Sequence, residues 1–433
     1  MWPSANSRPF SRSARPTVIW RPTCTCCVAD EPIAGFLRRV QTVTSQPIGL
    51  SVPAYGKASL AELLPSLMAG LGVTGFDDVL GLRPALTDVR HVIVLLIDGL
   101  GEHNLTAHPD TAPTLTSLAS PIGPVHAASP STTPVSLATL NTGVPPGEHG
   151  IVGFTVALPG TDRLLTHTDW RTDPSPGKWQ PVPTVFERAR RVGVTVHAVG
   201  PGRFIGSGLT EAIYRGAEYR AAVSPGDLVA RTVASATGEG LSLVYAYHGD
   251  LDLTGHVRGC ASAAWRAELS QVDSIVGSIL SGIGPDTALV VTADHGMLDV
   301  VSGDKVDLDA TTTEPGGADA VALSRGVRLL AGEPRARHVH TRPGAEVDVL
   351  AAWTEILGER AWVQSRQQAI DEGLFGPTVP AVHAERIGDV VAWARNGAAM
   401  TASRREPGAH SLVGYHGSLT DMELAVPVRI GRG

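Results

Sequence analysis

Cysteine is scarce in this chain of 433 residues, which contains only four. Three of them, Cys24, Cys26 and Cys27, lie close together near the N-terminus, and Cys260 stands alone. This pattern argues against a disulfide framework and is compatible with a reducing cytoplasm. The N-terminal cysteines could bind a soft metal, but no neighbouring His or Cys completes a site, so we favour no metal role there.

Long apolar runs and an excess of positive charge are also missing. No apolar stretch reaches the roughly 18 residues that a transmembrane helix requires, and no apolar core follows the basic N-terminus as in a secretory signal. We therefore expect no transmembrane segment and a cytoplasmic location. The net charge of −7 argues against a nucleic-acid partner, because phosphate-tracking surfaces are normally basic. It still allows a small anionic substrate held by metal ions.

Residues 1–48 differ from the rest of the chain in composition. They are rich in Arg, Ser, Thr and Pro, contain few acidic residues and show no clear periodicity before Ile33. Two interpretations are open, a disordered N-terminal extension or a targeting segment rich in Arg and Ser. We favour the disordered extension.

Three apolar runs, at residues 92–97, 241–247 and 288–292, have the composition of buried strands. Amphipathic segments at 59–71, 184–192, 227–235 and 262–280 predict helices between or beside them. This alternation predicts an α/β fold with a mostly parallel, doubly wound sheet flanked by helices.

The composition of the sequence and its pattern of predicted elements change after residue 301. Residues 302–325 are rich in Gly, Asp and Thr, and residues 326–407 alternate short strands with one helix near 347–356. We predict a small inserted α+β subdomain at 302–407, and a catalytic domain made of 49–301 plus 408–433.

Six residues with metal-ligating side chains lie at or just beyond strand ends or beside glycine turns. They are Asp98, Asp252, His256, Asp294, His295 and His416. Each has a structural reading on its own, as a helix cap, a turn residue or a core histidine. Together they match the mixed Asp/His ligands that zinc prefers, and six ligands suit two three-ligand sites better than one tetrahedral site.

Thr133 is the candidate nucleophile. It lies at the end of a hydroxyl-rich loop that is predicted to become a helix near Pro134. A metal ion would lower the pKa of its hydroxyl. The alternative is that Thr133 and its neighbours only cap the helix. Two metal ions roughly 4 Å apart can hold the attacking and leaving oxygens of a phosphoryl transfer, which favours the nucleophile.

With these motifs, the chain resembles the alkaline phosphatase superfamily, specifically its nucleotide pyrophosphatase/phosphodiesterase branch. The matching motifs lie in the family's order between about residues 90 and 428, at 96–100, 133–143, 146–151, 252–256, 292–297 and 416–417. The resemblance implies one zinc site formed by Asp252, His256 and His416. It implies a second zinc site formed by Asp98, Asp294 and His295, with Thr133 as the nucleophile and a phosphothreonine intermediate.

One departure from the family pattern concerns the residues after the nucleophile. The family usually has Phe-Pro-Asn there, with the Asn holding a phosphate oxygen, whereas this chain has Pro134, Val135 and Ser136. We expect Ser136, or the helix N–H groups, to bind the phosphate instead. The loops 154–180 and 200–225 are expected to shape the substrate pocket, although their aromatic residues could equally be packing residues.

The predicted function is metal-dependent hydrolysis of phosphodiester or nucleotide pyrophosphate bonds in a small anionic phosphoester, which includes nucleotides. The alternatives are a phosphonate or phosphomonoester hydrolase of the same superfamily, and a catalytically degenerate ligand-binding protein. A dinucleotide-binding oxidoreductase fits less well, because Asn104 stands where the third glycine of that fingerprint belongs. The oligomeric state stays open.

Overall fold

A six-stranded sheet forms the centre of the structure, a computed structural model that describes residues 49–433. Its strands, in chain order, are β1 (His91–Ile97), β2 (Thr195–Pro201), β3 (Glu218–Ala222), β4 (Ser242–His248), β5 (Thr287–Thr292) and β6 (Arg429–Arg432). Their order across the sheet is β6-β5-β1-β4-β2-β3. The first five are parallel, and β6 runs antiparallel to β5 at the edge. The predicted mostly parallel α/β sheet is therefore confirmed.

The register of β1 determines where the site lies. Ile97 pairs with His248 of β4, and Leu96 pairs with Thr292 of β5, so the three strands end at nearly the same level. Residues 92–97 are fully buried, as their uninterrupted apolar run predicts for a central parallel strand. The polar residues that follow these strands are consequently delivered to one edge of the sheet.

Helices flank the sheet, and several of them begin after a capping Ser or Thr. The principal helices are α1 (Leu60–Gly70), α2 (Thr133–Thr142), α3 (Val185–Arg191), α4 (Pro225–Ser235), α5 (Asp250–Arg258) and α6 (Ala263–Gly282). Ser59 with Glu62 and Thr184 with Glu187 form capping boxes at α1 and α3, which pair otherwise unsatisfied backbone N–H groups. The predicted helix at 59–71 begins at Leu60 and ends at Gly70.

The second structural layer is a four-stranded antiparallel sheet. Its strands are Val327–Glu333, Ala336–Thr341, Val390–Ala394 and Ala361–Ser365, in that order across the sheet. Its helices are Gly317–Ser324, Glu346–Leu357 and Arg366–Asp371. Trp353 belongs to a separate apolar core beside this sheet, whereas Trp393 packs into the main core. This is the predicted α+β subdomain, while its exact limits at 302 and 407 stay a prediction.

Several segments differ from the sequence-based expectations. Part of the 154–180 stretch, predicted to be irregular, forms a hairpin from Thr155–Ala157 and Leu164–Thr166. The edge strand β3 was not predicted, because its Glu-Tyr-Arg-Ala-Ala sequence lacks an apolar run. Trp170 and Trp179 in the same stretch are buried packing residues.

Two further points concern membrane-spanning helices and the N-terminal residues. No helix within residues 49–433 is both long and apolar enough to span a membrane. The predicted disordered extension and the three N-terminal cysteines lie outside the described residues.

Candidate active site

The six predicted metal ligands meet at the carboxyl ends of the central strands. Asp98 follows β1, and Asp294 and His295 follow β5. Asp252 and His256 lie one turn apart on α5, which begins directly after β4, and therefore project from one face of that helix. His416 follows the short strand Gly414–Tyr415. The structure therefore brings all six together in two groups of three.

The first group consists of Asp98, Asp294 and His295, and all three side chains are buried. His295 Nε2 lies 3.5 Å from Asp98 Oδ1 and 3.4 Å from Asp294 Oδ2. Neither of these carboxylate oxygens has a hydrogen-bond partner in the described part of the chain. Buried acceptors without partners are costly, and here they point toward a common centre.

The second group consists of Asp252, His256 and His416. His256 Nε2 lies 3.4 Å from Asp252 Oδ2, and His416 Nε2 lies 3.8 Å from Asp252 Oδ1. The two histidines approach each other more closely, with 3.2 Å between their Nε2 atoms.

The opposite ring nitrogens reveal the tautomers of these histidines. His256 Nδ1 lies 2.8 Å from the carbonyl oxygen of Gly414, and His416 Nδ1 lies 2.9 Å from that of Ser131. A carbonyl oxygen can only accept, so each Nδ1 carries a proton, and in the neutral form of the ring each Nε2 is available as a ligand. Two such Nε2 atoms 3.2 Å apart repel each other unless a proton or a metal ion lies between them. The donor atoms therefore fit a divalent metal ion, with backbone carbonyls orienting the ligating histidines.

Electrostatics in the protein alone point the same way. Burial, followed by the charge of neighbouring carboxylates, raises the pKa of Asp98 well above its ordinary value. Burial raises the pKa of Asp252 and of Asp294 to about 7. Burial lowers the pKa of His295 to about 3. Three crowded carboxylates beside neutral histidines need a compensating positive charge, which bound metal ions would supply.

Thr133 is the first residue of α2 and lies between the loops that carry the two groups. Its Oγ1 is 3.2 Å from His295 Nε2, and it lines the same pocket as Asp98, Asp252 and His416. Pro134 follows in the first turn, where its missing N–H leaves no hydrogen bond unmade. The hydroxyl is therefore held at the edge of the first group and faces the pocket.

Ser136 lies one turn further along α2 and is fully buried. Its Oγ accepts a hydrogen bond of 3.3 Å from the N–H of Ala128, and it does not line the pocket. This position gives the hydroxyl a structural contact, and the expected contact with phosphate stays a prediction.

Two contacts that sequence reasoning missed hold the strand-end loops in place. Gly99, in a left-handed conformation with φ of 74°, packs against Asp252, and a Cβ there would come within 3.0 Å of that side chain. Asn104 pairs with the backbone of Met297, donating to its carbonyl at 3.1 Å and accepting from its N–H at 3.3 Å. Asn104 therefore fastens the loop after β5.

The pocket has a volume of about 830 Å³ and lies between the central sheet, the hairpin and the subdomain. One end holds the predicted metal ligands, and the walls beyond it are largely apolar. The apolar lining includes Phe154, Leu164, Leu253, Leu330 and Leu412. A smaller cavity of about 90 Å³ beside Thr133 is lined by Phe204, Tyr214 and Tyr247. The 154–180 and 200–225 loops thus line these cavities, with Phe154 and Arg203 at the pocket and Phe204 and Tyr214 at the smaller cavity, whereas the two tryptophans line neither.

A third group of ligand-type residues, His248, Asp250 and Glu268, lies behind the pocket. His248 Nε2 is 3.1 Å from Glu268 Oε1, and Asp250 is exposed. A hydrogen-bonded His–Glu pair accounts for this group without a metal ion.

Comparisons with known proteins identify the family of the chain. A family model described as type I phosphodiesterase / nucleotide pyrophosphatase matches residues 92–419. No curated protein sequence matches the chain.

Solved structures of ectonucleotide pyrophosphatase/phosphodiesterase 5 share the fold. The murine protein superposes with a TM-score of 0.60 at 18% identity, covering 79% of this chain and 88% of that chain. An inactive variant of the murine protein in complex with AMP gives a TM-score of 0.61, and the human protein gives 0.59, both at the same identity and coverage. By its fold and by a family match over most of its length, the chain belongs to the type I phosphodiesterase / nucleotide pyrophosphatase family of the alkaline phosphatase superfamily and is a phosphoric ester hydrolase.

Proposed function

We propose that this protein hydrolyses phosphodiester or nucleotide pyrophosphate bonds, with Thr133 as the nucleophile and two zinc ions as cofactors. The proposal rests mainly on one observation: Thr133 Oγ1 lies 3.2 Å from His295 Nε2, at the edge of the two groups of predicted ligands. A side chain that only capped α2 would accept from backbone N–H groups, and no such cap bond is present at this helix.

The two groups of residues would hold the two ions. Asp98, Asp294 and His295 would form one site, and Asp252, His256 and His416 would form the other. When bound, the ions supply positive charge that favours the ionised hydroxyl and neutralises charge developing on the phosphate oxygens.

The chemistry of the chain's own residues then follows. Thr133 Oγ1 attacks phosphorus in line while its proton passes to solvent. A new P–O bond forms as the bond to the leaving oxygen breaks, and that oxygen takes up a proton from solvent where it leaves as an alcohol. The product is a phosphothreonine at position 133 and a released alcohol or phosphate. Water attacks this phosphothreonine in a second displacement, which releases the phosphorylated product and restores the hydroxyl. The buried surroundings of Asp98 and His295 position the hydroxyl for both steps.

A nucleotide is the substrate that we propose. The related murine protein, in an inactive variant, was solved in complex with AMP. In this chain, the cavity beside Thr133 is lined by Phe204, Tyr214 and Tyr247 together with the hydroxyl-bearing Thr168, Ser207 and Thr210. Aromatic faces and uncharged hydroxyl groups suit a base or sugar next to the reacting phosphorus. Cytoplasmic localisation stays a prediction from cysteine usage.

The first experiment measures metal content and substrate choice of the purified protein. We expect about two zinc ions per chain, and hydrolysis of bis(p-nitrophenyl) phosphate that exceeds that of p-nitrophenyl phosphate. Higher activity on the monoester, or on a phosphonate monoester, would favour the alternative hydrolases of the superfamily. Metal binding without turnover would favour the degenerate binding protein.

The second experiment tests Thr133 directly. Thr133→Ala should lose at least roughly a thousandfold in kcat while still binding metal, and Thr133→Ser should keep measurable activity because it retains the hydroxyl. Acid quenching during turnover should trap phosphate on Thr133, as detected by mass spectrometry. Full activity of Thr133→Ala would refute the proposal.

A further inference from the structure

Arg203 occupies a distinctive place in the substrate pocket. It lies in the turn Gly202–Phe204, directly after β2, and it is exposed. Its side chain lines the catalytic pocket and also a second cavity of about 400 Å³. The two cavities share Tyr247 and Gly249 as well, so they join at Arg203.

The charges around the catalytic pocket leave Arg203 without a compensating carboxylate. Arg405 also lines the pocket, but Asp309 binds it at 2.7 Å. Glu406 is bound to Arg337 by two hydrogen bonds of 2.9 and 2.6 Å. Among the described residues, Arg203 forms no ion pair, and its guanidinium carbon lies 4.8 Å from the ring centre of Phe204.

The remaining carboxyl groups of the two cavities have other surroundings. Asp98 and Asp252 belong to the metal-ligating groups, and Glu333 is buried near His416 with 3.9 Å between Oε2 and Nδ1. Asp250 lines the second cavity but makes no ion pair with Arg203. Arg203 is therefore the unneutralised cation where the two cavities join.

A series of aromatic contacts fixes this cation relative to the reaction centre. The Phe204 ring packs edge-on against Tyr247, with centroids 5.7 Å apart and an interplanar angle of 78°. The Tyr247 hydroxyl in turn donates to Asp98. Stacking on a ring restricts a guanidinium without using its N–H groups, which stay free to bind a ligand.

We propose that Arg203 binds a second anionic group of the substrate, a phosphate further along a phosphoanhydride chain from the phosphorus that Thr133 attacks. Arg203 thereby favours nucleotide polyphosphates over esters that contain a single phosphorus. This inference rests on the proposed hydrolytic function of the same pocket. A planar guanidinium with free N–H groups is well matched to phosphate oxygens, which it can contact in pairs.

The test uses two substrates that share one nucleoside. Thymidine 5′-triphosphate carries further phosphates, whereas the p-nitrophenyl ester of thymidine 5′-monophosphate does not. For Arg203→Ala, kcat/KM should fall roughly tenfold on the triphosphate and change less than about twofold on the nitrophenyl ester, the size expected for one charge-assisted hydrogen bond at an exposed site. Arg203→Lys should recover part of the loss. Arg231→Ala, on the outer helix α4, removes the same charge and should affect neither substrate.

Ionic strength provides a second readout that a purely structural role would not produce. Added salt should lower the kcat/KM of the wild type on the triphosphate, because it screens the attraction between Arg203 and the phosphate. It should have little effect on the kcat/KM of Arg203→Ala. Equal losses on both substrates, or no loss on the triphosphate, would overturn the role of Arg203. Wild-type hydrolysis of the nitrophenyl ester alone would also overturn it while leaving the proposed function intact. Hydrolysis of neither thymidine substrate would overturn the role of Arg203 and the proposed nucleotide substrate, and activity on bis(p-nitrophenyl) phosphate would then decide the proposed hydrolytic function.

Discussion

The hydroxyl of Tyr247 donates a hydrogen bond to Oδ2 of Asp98, across the boundary between two neighbouring strands. Tyr247 lies near the end of β4, and Asp98 follows β1, which pairs with β4 in parallel. With Oδ2 engaged, Oδ1 is directed toward His295 Nε2, 3.5 Å away. The tyrosine thus orients the Asp98 carboxylate toward the centre of the proposed metal site.

Removal of this hydroxyl should weaken metal binding. In Tyr247→Phe, the ring still packs against Phe204, but the Asp98 carboxylate loses its orienting donor. We expect metal affinity to fall roughly tenfold to a hundredfold, as measured by competition with a chromophoric chelator. Tyr219→Phe is the control, because the Tyr219 hydroxyl donates to the carbonyl of Pro201 instead. Equal affinities of Tyr247→Phe and wild type would contradict this role.

Metal removal should destabilise the protein, and more so at higher pH. Without metal, burial raises the pKa of Asp252 and Asp294 from 3.8 to about 7, so the folded state retains protons that the unfolded state has released. Their contribution to stability is present below about pH 4 and is lost as pH rises toward 7. Bound ions cancel this penalty, and at 100 times the Kd they add about 3 kcal/mol.

Thermal unfolding with zinc and with EDTA, at pH 5.5 and pH 7.5, measures this effect. The decrease in Tm on adding EDTA should be larger at pH 7.5. An equal or smaller decrease at pH 7.5 would show that the buried carboxylates are not compensated by metal ions.

Breaking the ion pair between Arg335 and Glu423 by removing one partner should strongly destabilise the protein. Both side chains are fully buried, and two hydrogen bonds of 2.6 and 2.8 Å join them. Arg335→Met leaves a buried carboxylate uncompensated and should cost roughly 3–5 kcal/mol in the free energy of unfolding, measured with urea. Adding Glu423→Gln should recover part of that loss. By contrast, Arg231→Ala breaks an exposed ion pair and should cost less than about 1 kcal/mol.

Buried neutral histidines should make the protein sensitive to acid. Burial lowers the pKa of His340 from 6.5 to about 4, and its Nε2 has no partner among the described residues. The folded state therefore resists protonation, and stability is lost as pH falls from 6.5 toward 4. His340→Leu should reduce this loss, as measured by urea midpoints from pH 7 to pH 4 on metal-free protein. Parallel pH profiles of variant and wild type would argue against the assignment.

The central strands and the convergence of the ligands were predictable from sequence because each depends on local pattern. An uninterrupted apolar run such as 92–97 identifies a strand buried on both faces, and parallel strands end at one edge of the sheet. Asp98, Asp294 and His295 follow such strands immediately. Their proximity could therefore be predicted once the strands were identified as buried and parallel.

Other features depend on tertiary placement and have no local signal. The strand β3 is a polar edge strand whose identity comes from its pairing with β2. In the sequence, Tyr247 looks like one more residue of an apolar strand, although its hydroxyl donates to Asp98, a predicted metal ligand. In the sequence, Arg203 looks like any other exposed arginine. Only the structure shows that its side chain lines two neighbouring cavities. Trp170 in the 154–180 loop is the opposite case. The sequence allowed it to line the substrate pocket, but in the structure it is buried in the core.

The chain leaves the candidate active site after His295, forms the subdomain, and returns at His416. Arg335 of the subdomain pairs with Glu423, whose carboxylate also accepts the N–H of Ser418, two residues from that histidine. These contacts link the subdomain to the segment that carries His416. Changes at Arg335 or Glu423 would therefore disturb both the turn that lines the pocket through Glu333 and Pro334 and the position of His416.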